Sequence, residues 1–114
     1  MEECFSVAFR TARENRRAVM HIFNSSNRDM FLQDTMRLCE YVVKTYITTA
    51  FANTAITEDD RRVVVQFMKC QLFGVWIDWV SGGMKEESFA DLQRMIQLCR
   101  GVPELIVAHS SGQA

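Results

Sequence analysis

The segment from residue 58 to 81 limits what this chain can fold into more than any other. At the helical repeat of about 100° per residue, Val65, Met68, Leu72, Val75, Trp76 and Trp79 fall on one face. Val63, Phe67, Cys70, Gly74, Ile77 and Ser81 fall on the opposite face. Asp60, Gln71 and Asp78 form only a narrow polar stripe between them. A helix that is apolar nearly all round must be covered on both sides. The chain has 114 residues, one domain's worth, and a single small core has little material with which to enclose so long a rod. One face is therefore expected to pack within the chain and the other on something outside it, most simply a second copy. Cys70, Gly74 and Ser81 on the second face are small, which suits the close approach of two backbones.

Composition fixes the fold class. Five Gly and one Pro cannot punctuate an all-β sandwich, which turns about every 8–12 residues. A hydrophobic share of 48% and a net charge of −1 exclude disorder. The expectation is an all-α bundle of about five helices. The balanced charge argues against a direct grip on nucleic acid, and the pairs Arg16/Arg17 and Arg61/Arg62 read as solvated surface. Cys4, Cys39, Cys70 and Cys99 stand about thirty residues apart inside helical patterns. With no C-x-x-C pair they read as small buried hydrophobes in a reducing compartment, not as zinc ligands. Glu2-Glu3 does not open a secretory signal. The apolar run Val63–Val80 is broken by Gln66, Lys69, Gln71 and Asp78, so no membrane span is expected. The chain is read as soluble and cytoplasmic.

Along the chain, Phe5, Ala8, Phe9 and Ala12 make a helical stripe over residues 2–14, and Asn15 breaks it. A short helix follows from Arg16 to Phe23, then the turn-forming run Asn24-Ser25-Ser26-Asn27. A long helix is expected from Arg28 to Phe51. Phe31, Thr35, Leu38, Val42, Tyr46 and Thr49 share one of its faces; Leu32, Met36, Cys39, Val43 and Ile47 share the adjoining one. Thr57 with Asp60 reads as the cap of the apolar helix, and Gly82-Gly83 as its stop. A second capping box, Ser88-Phe89-Ala90-Asp91, predicts a last helix from Phe89 to Arg100. Residues 104–108 could add one turn, and the tail beyond is expected to fray. The reading is thus one helical domain over 1–103 and a short turn and tail over 104–114.

No residue pattern points to catalysis: there is no phosphate-binding glycine loop, nucleophile elbow or H-E-x-x-H. No metal or cofactor is expected. His21 is either a boundary residue or the polar handle of a pocket. Seven Met with eight Phe, two Tyr and two Trp suit either an ordinary core or a cavity for an apolar or aromatic ligand.

The stretch Phe67–Lys85 (FMKCQLFGVWIDWVSGGMK) resembles the regulatory domain of the tetracycline-repressor (TetR) family of bacterial transcription regulators, in particular its Firmicutes-type C-terminal domain. Gly74 within an apolar helix, Trp79 five residues on and the turn Gly83-Met84-Lys85 carry the likeness. Glu14-Asn15-Arg16 ahead of a short and then a long helix agrees with the family's order, so the resemblance spans about residues 2–100. It implies an effector-binding and dimerisation domain, not an enzyme, whose last two helices pair with a second copy in a four-helix bundle. It also implies that DNA is read by an N-terminal helix-turn-helix head, absent from this chain, and that the chain is a truncated piece. On that reading Leu72, Trp76, Trp79 and Met68 face a pocket shared with Met36, Val43, Tyr46, Phe23 and His21. The dimer side would hold Phe67, Cys70, Gly74, Ile77 and Ser81, with Phe89, Leu92 and Ile96 from the last helix. The two faces can be exchanged on this evidence. The other reading is a helical protein–protein interaction module with no small-molecule pocket.

Overall fold

The computed structural model describes residues 2–110, with side chains from residue 6 onward. Six helices follow in order: α1 (Glu2–Glu14), α2 (Arg16–Phe23), α3 (Arg28–Ala50), α4 (Glu58–Ser81), α5 (Glu86–Leu98) and α6 (Val102–Ser110). There is no strand among the described residues. The side chains of Cys4 and Phe5 and the final residues 111–114 lie outside that range.

Local chemistry sets most of the boundaries. Asn15 ends α1, its amide nitrogen bonding the Thr11 carbonyl at 2.8 Å. The Thr57 hydroxyl accepts the Asp60 backbone N–H at 3.1 Å, and Glu58, Asp59 and Asp60 sit on the positive end of α4. At the other end the chain makes a Schellman turn. The Met84 N–H reaches the Trp79 carbonyl at 2.9 Å, and the Gly83 N–H reaches that of Val80 at 3.0 Å. Gly83 takes φ +92°, as expected for glycine. Met84 also has positive φ, 56°, which a non-glycine residue rarely adopts. Its side chain is buried, so packing holds it there.

Two boundaries differ from the expectation. Helix α5 begins at Glu86, before the Ser88 box, because tertiary contacts organise its start. The Lys85 carbonyl accepts both the Phe89 N–H at 3.1 Å and the Trp79 indole N–H at 3.3 Å. The C-terminal segment is a helix of nine residues. Pro103 lies in its first turn, where a missing N–H costs nothing. Val107 is buried, Ile106 packs on the α3–α4 cluster, and the Ser110 hydroxyl meets Asp60 Oδ2 at 2.6 Å.

Helices α3 and α4 run antiparallel as the central pair. Phe31 meets Trp76 (ring centroids 5.6 Å), Glu40 meets Lys69 (3.4 Å) and Thr48 meets Arg61 (3.3 Å). Apolar packing forms two centres. Val43, Ile47, Val64 and Val65 close one end of the pair. Phe9, Phe23, Trp79, Val80, Met84, Phe89 and Leu92 close the other, where α1, α2 and α5 converge.

The result is thin. Its extents are 45 × 28 × 18 Å, and two stacked helices already need about 20 Å. The radius of gyration is 15.4 Å, against about 13 Å for a compact chain of this length. So α4 is covered on one side only. By length and composition alone it could also cross a bilayer, with a mean hydropathy of 1.3, contrary to the sequence expectation. In this fold its apolar inner face is spent on α3, with Lys69 tied to Glu40.

Candidate ligand cavities and the open flank of α4

The gaps between helices leave two cavities. The first, of about 480 Å³, lies between α1, α2, α3 and α4. Phe9, Phe31, Leu72 and Trp76 supply its apolar walls; Thr11, Asn15 and Thr35 supply its polar groups. The Thr35 hydroxyl bonds the Phe31 carbonyl at 2.8 Å, as a threonine inside a helix does. The second, of about 600 Å³, lies between α4, α5 and α6. Both volumes are in the range of small-molecule sites. Neither has a buried charged side chain in its wall, since no charged or polar residue is fully buried among the described residues.

The residues expected at one pocket are distributed over three places. Trp76 and Leu72 line the α1–α4 cavity; Tyr46, Met68 and Leu72 line the α4–α6 cavity. Phe23, Val43 and Trp79 are in solid core, and Met36 is half-buried. His21 is exposed on α2. The Arg28 guanidinium covers the Phe23 ring at 4.1 Å. Phe31, Thr35 and Val42 were legible only as a helix face; that they border a gap follows from how α1 and α3 splay. Pro103 and Ile106 of the second cavity had no signal, because α6 was not expected as a helix.

The flank of α4 that faces away from α3 is open. Phe67, Cys70, Gly74 and Ser81 are exposed, and Ile77 is half-buried. A Cβ added at Gly74 would meet nothing within 4 Å. Phe89 and Leu92, expected on the same interface, are instead interior residues, because α5 turns that face onto Trp79. Ile96 is half-buried at the second cavity. The solvent-accessible surface is 7681 Å², where a monomer of this mass exposes about 6,400 Å². The excess, about 1,200 Å², resembles what one partner contributes to a stable interface.

The cysteines do not share one environment. Cys39 is buried, but Cys70 and Cys99 are exposed and free, against the expectation that all are core residues. Cys70 sits on the open flank and Cys99 at the end of α5. Burial pushes the Cys39 thiol up to about 11, partly offset by a backbone hydrogen bond. At pH 8 its thiolate fraction is then on the order of 0.1%. Iodoacetamide should label Cys39 at least about 100-fold more slowly than Cys70. Its rate should rise about tenfold per pH unit up to about 11; peptide mass spectrometry reads both. Tyr46 is also pushed up, first by burial and then by the negative charge of Glu104, so its phenol stays a donor.

Three contacts tie the first helices to the turn after α4. Arg13 pairs with Glu86 at 3.0 Å and lies over the Phe89 ring at 4.7 Å. The Arg16 Nε–H donates to the Gly83 carbonyl at 2.9 Å. Movement of the α4–α5 turn would therefore load α1 and α2.

An all-α domain with internal cavities, no converging metal-ligating cluster among the described residues and an uncovered apolar helix flank has the form of a regulatory domain. A family model described as transcriptional regulator C-terminal region, of the TetR type, matches residues 1–101. The chain belongs to that family: it is a C-terminal region of a TetR-type transcriptional regulator. No curated protein and no solved structure matches it.

Proposed function

We propose that this chain is the effector-sensing and dimerisation region of a cytoplasmic transcriptional regulator. The observation that carries the reading is the α1–α4 cavity, which abuts the one helix whose outer flank lacks cover. A small neutral aromatic or apolar effector would lie between Phe31 and Trp76. The α4 flank, from Phe67 to Ser81, would pair with that of a second copy, with α5 alongside. Effector binding acts by population shift, through its different affinity for two dimer geometries. The contacts of Arg13 and Arg16 give the movement a route to α1. DNA would be read by a separate helix-turn-helix head, not by these residues.

The test is thermal unfolding of the whole chain with a panel of neutral aromatic compounds. A ligand at 100 times its Kd should add about 2.7 kcal/mol of stability. Leu38→Trp, placed at the cavity edge on an exposed residue, should remove that gain. If no compound stabilises a chain that is dimeric, the domain is an interaction module without an effector.

A further inference from the structure

The second cavity is built differently from the first. Its outer wall is α6, which begins at Val102, beyond the residues that the family model matches. Met68, Val75, Ile96 and Ile106 make its walls, aliphatic where the first cavity is aromatic. Tyr46 and Glu104 stand at one end of it. Its rim includes Phe67 and Met95, which are 55% and 48% exposed. Phe67 is also a member of the open α4 flank. The mouth of this cavity and the uncovered surface are therefore continuous.

We infer that the α4–α6 cavity binds a neutral, mainly aliphatic molecule with one hydrogen-bonding head, and that a second copy of this chain completes the site by closing over Phe67 and Met95. The inference rests on the α4 flank being the dimer surface, as proposed above. Alone, the cavity would leave one side of an apolar ligand in water, so the ligand gains from the partner's cover. The head group meets the Tyr46 hydroxyl, which remains protonated and donates. No buried cation is present to balance an anionic ligand among the described residues. Because coupling is reciprocal, a ligand that binds the dimer better than the monomer tightens the dimer by the same factor.

The experiment is sedimentation velocity of the whole chain over roughly two decades of concentration, with and without N-phenyl-1-naphthylamine, a neutral probe that fluoresces in apolar surroundings. Site-linked dimerisation should tighten the dimer by about tenfold, within the usual range of coupling. Met95→Trp fills the mouth from an exposed position and should abolish both the tightening and the fluorescence gain that grows with chain concentration. Leu38→Trp, at the other cavity, should leave them intact. A dimer whose constant ignores the probe overturns this inference and leaves the dimer surface standing. A chain that stays monomeric throughout overturns the dimer surface and the inference with it. Loss of the effect in Leu38→Trp but not in Met95→Trp places the probe in the first cavity and also overturns the inference.

Discussion

Trp79→Ala should cost about 3–5 kcal/mol of folding stability, as aromatic truncations in packed cores do. The ring is 3% exposed. It meets Phe9 edge-on at 5.3 Å and Phe89 at 6.1 Å, and its indole N–H bonds the Lys85 carbonyl at 3.3 Å. Its removal also takes away the apolar partner of Met84, which keeps that residue in its left-handed conformation. Trp76 lies three residues earlier on nearly the same face, yet it is half-buried against a cavity. Trp76→Ala should cost less than about 2 kcal/mol, since less surface returns to water and part of the space is already empty. Urea unfolding of the two variants reads the difference. Equal losses would mean that the α1–α4 cavity is filled by packing in solution, and the effector site would lose its basis.

The largest effect on assembly is expected at Gly74. Within one chain a side chain there meets nothing, and replacing a mid-helix glycine favours the helix by about 0.5–1 kcal/mol. Gly74→Arg should therefore fold at least as well as the parent. At a helix crossing it would place an unpaired charge between two backbones, a cost of several kcal/mol. The dimer should weaken at least about 100-fold, equivalent to about 2.7 kcal/mol. Folding and assembly thus move in opposite directions. An unchanged dimer would assign the partner to another face, for which the exposed Met30, Leu38 and Tyr41 of α3 are the next candidates.

The parts of the fold governed by neighbours in sequence were legible. Thr57 and Asp60 marked the start of α4, Asn24–Asn27 the turn before α3, and the helical stripes the inner faces of α1 to α4. The outward flank of α4 was also legible, because periodicity says which residues share a side. What failed depended on distant contacts. Ser88 looked like a cap, but the Lys85 carbonyl, held by the Trp79 indole, starts α5 earlier. Pro103 looked like a stop and is a first-turn residue of α6. Phe89 and Leu92 looked available to a partner, but the rotation of α5 commits them to Trp79. Cavities are the hardest feature to read, since they are set by the splay between helices and no residue type encodes a gap. Trp76 and Trp79 show the limit: one pattern, two environments.

The account stands or falls on whether a second copy covers the outer flank of α4. Cys70 reports on it directly, because it is exposed in the single chain and lies one turn from Gly74. The measurement is its iodoacetamide labelling rate, at fixed reagent, across the concentrations over which sedimentation shows association. The expected result is that Cys70 becomes protected as dimer forms and regains its full rate in Gly74→Arg. A labelling rate that stays constant while the chain dimerises would contradict the account.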